Sequence, residues 1–188
     1  VVILGSGTSQ GIPIVGCSCP GCTSPDPKDK RLRVSVYIET DRKMNGKPLR
    51  LLIDTSPDFR QQMLLNNVTD IDAVLYTHYH IDHIMGMDDL RQINQLHRKV
   101  VDIYANAETA ERIKQTFSYI FDNDTYRGGG IPDVELKIVN EEFQFFFGGI
   151  GPNHLVKARS RSFNFCEDFA GIVGCDRRRN SEISQSNQ

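Results

Sequence analysis

The sequence predicts an α/β fold whose functional site lies at the ends of strands. Short apolar runs with the pattern of buried strands alternate with helical segments through the middle of the chain, which is typical of this class. Polar residues suited to metal binding follow directly after two of these runs, where α/β proteins build their sites. The 188 residues, of which 39% are hydrophobic and 24% charged, fit one ordinary globular domain.

The first predicted elements are strands. The apolar run 1–4 has the pattern of a buried strand and ends in a glycine-rich turn. Residues 34–40 alternate between apolar and polar side chains, as expected for a strand with one buried face. Residues 51–53 form a further apolar run that closes on Asp54. A carboxylate therefore stands directly at a strand end.

Helices and strands alternate after that point. Ser56 is a capping residue followed by proline and an acid, which predicts a helix running to about residue 66 or 67. The apolar run 73–77 is the next strand. Helical patterns then cover residues 88–97 and 108–117, and strand patterns cover residues 100–104 and 134–139.

The character of the sequence changes after about residue 142. Residues 1–142 are interpreted as the N-terminal part of the domain, whereas residues 143–188 are interpreted as a divergent, truncated or frame-shifted tail. The tail opens with four phenylalanines, interpreted as edge-strand core, and continues with many Ser, Arg and Asn residues of poor periodicity. The fold is therefore expected to be incomplete at its C-terminus. Val1 already lies in a strand-like run, so the true N-terminus is expected to precede it.

Three histidines and one aspartate stand within six consecutive residues after the strand 73–77. In an extended segment His78, His80 and Asp82 project the same way, whereas His83 has the opposite parity. A turn after Asp82 is therefore predicted, helped by a glycine three residues after His83. These donors suit Zn, Mn or Fe. The alternative is a pair of surface histidines beside a capping aspartate, which is disfavoured because three of the five histidines lie here.

This histidine motif can serve two adjacent metal ions. His78 and His80 would bind one ion, and Asp82 and His83 would bind the other. Two ions about 3.5–4 Å apart can hold a hydroxide nucleophile and clamp both the attacked centre and the leaving oxygen. That chemistry suits hydrolysis of phosphodiesters, esters, lactones or β-lactams. A complete site needs further ligands, namely another histidine for each ion and usually a shared carboxylate.

The histidine motif resembles the signature of the metallo-β-lactamase fold superfamily. With the run 4–13 and the cysteine-rich run 16–22, it resembles the branch that includes the phosphoribosyl cyclic phosphate phosphodiesterases of phosphonate breakdown. Asp54 matches the carboxylate beside the family's site, residues 88–91 continue the match, and the resemblance covers residues 1 to about 140. It implies an αβ/βα sandwich with two catalytic Zn or Mn ions. It also implies hydrolysis of a small, cyclic phosphodiester by a metal-bound hydroxide.

The resemblance also implies roles for single residues. Asp82 and Asp54 are the expected catalytic residues, with Asp54 orienting a ligand or the loop through hydrogen bonds. The family's late ligands are a histidine after a strand, an aspartate at the end of the next strand and a final histidine. His154 and Asp176 are the candidates for the first two. No histidine follows residue 176, so the second metal site lacks a ligand in this sequence.

Three cysteines, Cys17, Cys19 and Cys22, lie close together in the irregular segment 12–33. Three thiolates on one loop suit zinc, which takes four ligands in a structural site. The resemblance implies one structural zinc completed by a histidine far along the chain. Three free thiols are the alternative. His97 is a poor candidate for the fourth ligand, because it ends a predicted helix, where a cationic side chain favours the dipole.

Composition narrows the possible partners. A net charge of −2 disfavours nucleic acid, and no apolar run approaches the length of a membrane span. Clustered cysteines favour metal binding in a reducing, cytoplasmic compartment. The expected partner is a small phosphodiester substrate, and a homodimer is one possible assembly. Two alternatives stay open: a tRNA-processing-type nuclease of the same superfamily, and an inactive zinc-binding fragment.

Overall fold

A six-stranded mixed sheet organises the molecule. The computed structural model describes residues 1–44, 47–122, 124–125, 130–139, 142–144 and 157–159. Neighbouring strands of the sheet follow one another in chain order, β1 to β6, with the first three antiparallel and β3 to β6 parallel. They are β1 Val2–Gly5, β2 Ser35–Met44, β3 Lys47–Ile53, β4 Ala73–Leu75, β5 Val101–Ala105 and β6 Val134–Ile138.

Six short helices connect and cover these strands. They are α1 Pro20–Thr23, α2 Phe59–Leu65, α3 Ile81–Ile84, α4 Leu90–His97, α5 Ala107–Thr116 and α6 Ser118–Phe121, with 3-10 turns at Pro27–Asp29 and Met85–Asp89. Two further strands, β7 Glu142–Gln144 and β8 Lys157–Arg159, pair antiparallel in a separate sheet. Within the described part of the chain, no helix is long and apolar enough to cross a membrane.

The main core lies between the sheet and the helices. Leu52, Val74 and Ile103 are register partners on three parallel strands, and all three are fully buried. Full burial of such a side chain stabilises the fold by about 1.5–3 kcal/mol. The same cluster contains buried side chains from the helices and the 3-10 turn: Phe59, Met63, Ile84, Met87, Leu90, Ile93, Ala110 and Ile113. These contacts hold the helices against the sheet.

An ion-pair network centred on Asp70 ties the opposite end of the sheet together. Its Oδ1 lies 2.6 Å from Lys99 Nζ, and its Oδ2 accepts a hydrogen bond from Arg50 at 2.8 Å. Burial acts to raise the pKa of Asp70. The hydrogen bond and charge of Lys99, with the charges of His97 and Arg50, outweigh burial, so the pKa lies below its ordinary value.

Most predicted elements are present, but several bounds differ. The helix predicted from Ser56 begins at Phe59, and the buried Ser56 hydroxyl accepts from the Asp58 amide and donates to Gln62. The strand predicted over 34–40 continues to residue 44, the run 51–53 is the end of a strand that begins at residue 47, and the strand predicted over 73–77 ends at residue 75. The helix predicted over 88–97 begins at Leu90, after a 3-10 turn. Helices α1, α3 and α6 were not predicted, because four residues are too short to show periodicity.

Gly86 has a different role from the predicted one. It does not form a tight turn after the histidine motif, since α3 runs directly into the 3-10 turn that contains it. A Cβ atom at this position would lie 2.3 Å from the Ser56 carbonyl oxygen and 2.6 Å from Phe59 Cβ. Only glycine therefore lets this turn approach the start of α2 so closely. The Gly86 amide donates to the Thr55 carbonyl at 2.9 Å, which holds the approach in place.

Candidate metal centre

Asp54 occupies an unusual backbone position directly after β3. Its φ of 59° lies in the left-handed region, which aspartate tolerates better than most residues. Its amide donates to the Leu75 carbonyl at 3.0 Å, and its own carbonyl accepts from the Ser35 hydroxyl at 2.9 Å. The side chain is almost fully buried, with 1% of the residue's surface exposed. The fold thus directs a carboxylate inward between the ends of β3 and β4.

The Asp54 carboxylate accepts three hydrogen bonds. Thr77 donates its amide to Oδ1 at 2.8 Å and its hydroxyl to Oδ2 at 2.7 Å. His83 Nδ1 lies 2.7 Å from Oδ2. An ionised carboxylate can only accept, so Nδ1 of His83 carries the proton and Nε2 keeps its lone pair. Asp54 therefore sets the tautomer in which His83 can bind a metal through Nε2.

Thr77 extends the same constraint to His78. Its hydroxyl has one proton, which it donates to Asp54, so it accepts the hydrogen bond from His78 Nδ1, 3.0 Å away. His78 is then also protonated at Nδ1 and presents Nε2. Thr77 is the last residue of the strand predicted over 73–77, and the sequence pattern indicates no role for it. Its function is visible only once the strand ends are brought together, because Asp54 lies 23 positions earlier.

The histidine rings of the motif lie beside one another, but by a different route from the predicted one. The segment is not extended to residue 82: His80 is the N-cap of α3, and Asp82 and His83 are in its first turn. The His78 ring centroid lies 4.6 Å from that of His80 and 3.9 Å from that of His83. Because residues 81–84 form a helical turn, the His83 ring lies beside that of His78 without a further turn after Asp82. The predicted turn there is wrong.

Backbone bonds hold α3 against Asp54. The Thr55 amide donates to the His83 carbonyl at 2.8 Å, and the Thr55 hydroxyl donates to the Ile84 carbonyl at 3.2 Å. Thr55 is fully buried, and its hydroxyl also bonds that of Tyr76 at 2.8 Å. His83 is consequently fixed through both its main chain and its ring.

The electrostatics of the two fixed histidines differ. Burial lowers the pKa of His78, and the neighbouring His83 adds to the effect, so the neutral imidazole is favoured. Burial also acts to lower the pKa of His83, but the hydrogen bond and charge of Asp54 outweigh it, and the pKa is raised. His80 is exposed at the open side of the cluster.

The arrangement fits a cation. Asp82 Oδ2 lies 3.3 Å from His83 Nε2, and in the neutral tautomer set by Asp54 both atoms are electron-pair donors. A positive charge between them removes the repulsion of the two lone pairs: either a proton on Nε2, which the raised pKa of His83 favours, or a metal ion. No three donor atoms of the histidine motif lie within 4.8 Å of one another in the described residues. Further ligands would therefore be needed to complete each of the two predicted half-sites, His78 with His80 and Asp82 with His83.

The cysteine loop fits a metal in a different way. The sulfur atoms of Cys17, Cys19 and Cys22 all lie within 4.8 Å of one another. The Cys22 amide, and then the Cys17 and Cys22 thiols, lower the pKa of Cys19, which favours the thiolate that binds metal. Lys30 holds the loop by donating to the carbonyls of Ser24 at 2.7 Å and Cys22 at 3.4 Å. Zinc would find three of its four ligands here.

The late ligand candidates are not tested by this geometry. His154 and Asp176 lie outside the described residues. His97 ends α4, as expected, and its Nε2 lies 2.8 Å from the Thr69 carbonyl oxygen and 3.7 Å from Asp70 Oδ1. The His97 side chain is thus engaged away from both metal-binding groups.

Comparison with known proteins defines the class. Residues 49–170, more than half of the chain, match the model of the beta-lactamase superfamily domain. The chain belongs to this family, and it has the metallo-β-lactamase fold. It further resembles the PhnP branch: a solved structure described as a new diphosphatase from the PhnP family is 40% identical, with a TM-score of 0.64. That match covers 77% of this chain and 53% of the other.

Two other relatives carry different names. A protein of Porphyromonas gingivalis (strain ATCC BAA-308 / W83) named octanoyltransferase is 48% identical over 144 residues, which are 77% of this chain and 27% of that protein. The Zn²⁺-bound structure of PqqB from Methylobacterium extorquens is 25% identical, with a TM-score of 0.51, over 76% of this chain and 47% of that one. The chain thus spans about a quarter of the first relative and about half of each solved structure.

Proposed function

We propose that this chain carries metal-binding residues of a hydrolase that cleaves a small phosphodiester, with a cyclic phosphate as the expected substrate type. The observation that carries the proposal is the bonded set Asp54, Thr77, His78 and His83. It fixes two imidazoles in the tautomer that presents Nε2 to a metal. Matched tautomers at two neighbouring histidines beside a carboxylate suit metal binding through Nε2.

Each residue of the set has a defined task. His78 and His80 would hold one divalent ion, and Asp82 and His83 would hold the other. When bound, such ions supply an activated water and polarise a phosphoryl oxygen. Asp54 and Thr77 orient the imidazoles. No protein nucleophile is needed, and the exposed edge of His80 leaves the site open to a substrate.

The relatives support the substrate class and the type of metal. The diphosphatase of the PhnP family acts, by its name, on a phosphate-containing substrate, and it is the relative with the higher structural similarity. The PqqB structure contains Zn²⁺, which supports divalent metals in this fold. The octanoyltransferase name describes a protein of which this chain matches only 27%. That name therefore gives little support for acyl transfer by these residues.

The test measures hydrolysis of an aryl phosphodiester by the full chain loaded with Mn or Zn. His80→Ala should abolish most of the activity, because it removes one of two donors from a half-site. The matched control is His97→Ala, which removes a histidine engaged with Thr69 rather than with metal. Absence of activity in the loaded wild-type chain, or equal activity in wild type and His80→Ala, would sink the assignment.

Metal content separates the remaining alternatives. If the chain holds the two catalytic ions and the one structural zinc that the family resemblance implies, it should contain about three metal ions. Cys22→Ser should then contain one ion fewer. A content of one ion or none favours the inactive zinc-binding fragment. The nuclease alternative predicts that tRNA is retarded in a mobility-shift assay at moderate salt, whereas the phosphodiesterase proposal predicts no retardation.

A further inference from the structure

A short chain of contacts leads from the metal centre to an arginine on α5. The Tyr79 ring packs edge-on against His80, with centroids 5.4 Å apart and an interplanar angle of 88°. The guanidinium carbon of Arg112 lies 5.6 Å from the centroid of the same Tyr79 ring. These two distances place the guanidinium within about 11 Å of the His80 ring, a span that a flexible arginine and a diphosphate group can bridge together.

Arg112 keeps most of its hydrogen-bonding capacity. Its guanidinium has five N–H donors, and one of its nitrogens, Nη1, donates to the Gln115 side-chain oxygen at 3.3 Å. Among the described residues, no carboxylate lies within ion-pair distance of it. The positive charge therefore remains available to a ligand. Helix α5 starts directly after β5, at the same edge of the parallel strands as the histidine motif.

The ring of Tyr79 gives this arginine a preferred direction. The electron-rich face of an aromatic ring attracts a guanidinium electrostatically, even at an exposed site. This attraction favours one orientation of an otherwise mobile side chain. Tyr79 itself lies between His78 and His80 in the sequence, and its ring contacts the His80 ring. Arg112 is thus held beside the open edge of the cluster where His80 is exposed.

We propose that Arg112 determines specificity by binding a second anionic phosphate group of the substrate, with Tyr79 as its positioning residue. This inference rests on the proposed function, since it assumes that a phosphate ester occupies the metal centre. Guanidinium groups bind phosphate oxygens in a bidentate manner, which a lysine cannot reproduce. Within the proposed phosphodiester class, the favoured substrates are therefore those that carry a second anionic phosphate group rather than those with a single phosphate.

The test compares two simple probes that differ by one phosphate group: dimethyl phosphate and P1,P2-dimethyl diphosphate. Their affinities for the metal-loaded full chain are measured by calorimetry, which needs no turnover. Arg112→Gln should weaken binding of the diphosphate at least tenfold and that of the monophosphate less than threefold. Arg112→Lys should recover only part of the loss. The matched control, Lys114→Gln, removes an exposed positive charge from the same helix and should change either affinity less than twofold.

Tyr79 is tested by two substitutions. Tyr79→Phe keeps the ring and should bind the diphosphate as wild type does, whereas Tyr79→Leu should lose part of the preference without losing metal. Equal effects of Arg112→Gln on both probes, an equal effect of Lys114→Gln, or no binding of the diphosphate by wild type would overturn the inference. If the chain binds the diphosphate through Arg112 but hydrolyses no ester, the proposed function fails and the inference stands.

Discussion

Replacing Asp54 by asparagine should separate metal binding from folding. Asparagine is nearly isosteric and also tolerates the left-handed backbone at this position, so no strain is added. Its oxygen can still accept from the Thr77 amide. Its NH₂ group then takes the place of Oδ2, the oxygen that accepts from Thr77 and His83 in the wild-type protein. A donor at this point forces both partners to become acceptors.

The substitution changes where the protons of Thr77, His78 and His83 lie. His83 must accept at Nδ1, so its proton moves to Nε2, the atom that would bind metal. The Thr77 hydroxyl, now accepting from the introduced amide, is free to donate to His78 Nδ1, which moves that proton to Nε2 as well. The bond from the Thr77 amide is unchanged, and the other three hydrogen bonds are kept with their direction reversed. Stability without metal should therefore change by less than about 1.5 kcal/mol, the value of one ordinary hydrogen bond.

Metal affinity should fall much more than stability. Loss of a residue that orients a metal-binding histidine typically reduces affinity about 10- to 100-fold. We expect at least the lower value, which corresponds to about 1.4 kcal/mol. Binding of Mn²⁺ measured by calorimetry is the assay, because thiolates favour zinc and the cysteine loop then contributes little. Urea unfolding of the metal-free protein gives the stability.

Two further variants make the result decisive. Asp54→Ala removes all three acceptor contacts and places alanine at a positive φ, so it should lose more stability than Asp54→Asn does. Asp58→Asn changes a carboxylate that bonds Arg33 outside the site, and it should leave the Mn²⁺ affinity unchanged. The tautomer argument is refuted if Asp54→Asn binds Mn²⁺ as wild type does, or if it unfolds as easily as Asp54→Ala.

Three other predictions follow from the same geometry. Thr77→Val should lower Mn²⁺ affinity several-fold while Thr77→Ser retains it, because only the hydroxyl sets the His78 tautomer; equal affinities in calorimetry would contradict this. Gly86→Ala should lower the free energy of unfolding by about 1–3 kcal/mol, whereas Gly21→Ala, with open space around it, should change it by less than about 0.5 kcal/mol. Because the folded-state pKa of Asp70 is depressed, its ionised form stabilises the protein above about pH 4, and this contribution is lost as the pH falls through the folded-state pKa. The stability difference between wild type and Asp70→Asn, from urea unfolding, should therefore shrink below about pH 4, and a constant difference would contradict the ion-pair network.

The sequence predicted the parts of the site that depend on local pattern. An apolar run closing on Asp54, and another closing before His78, were visible because buried strands leave a continuous hydrophobic signal. Parallel pairing of β3 with β4 then brings both ends to one edge. The relative positions of the donors could not be predicted in the same way. Alternation in an extended segment was assumed as far as Asp82, but α3 had already begun at Ile81.

The contacts that give the site its chemistry are mostly long-range. Nothing in the sequence around Thr77 marks its hydroxyl as the link between Asp54 and His78, since one partner is distant and the other is adjacent. Arg112 is 33 positions from Tyr79, and its helix reads from sequence as an ordinary amphipathic segment. Such pairings follow from sheet order, which single-sequence patterns do not determine.

The two candidate metal-binding groups differ in how the chain holds them, and this difference bears on their proposed roles. Asp54 and His83 are fixed by buried main-chain and side-chain bonds between the sheet and α3. Their geometry therefore exists before any ion binds, as expected where a reaction needs a fixed arrangement. Cys17 and Cys19 lie on an irregular loop whose described contacts are few and largely exposed. There the bound ion would itself supply much of the order, which is the behaviour of a structural site rather than a catalytic one.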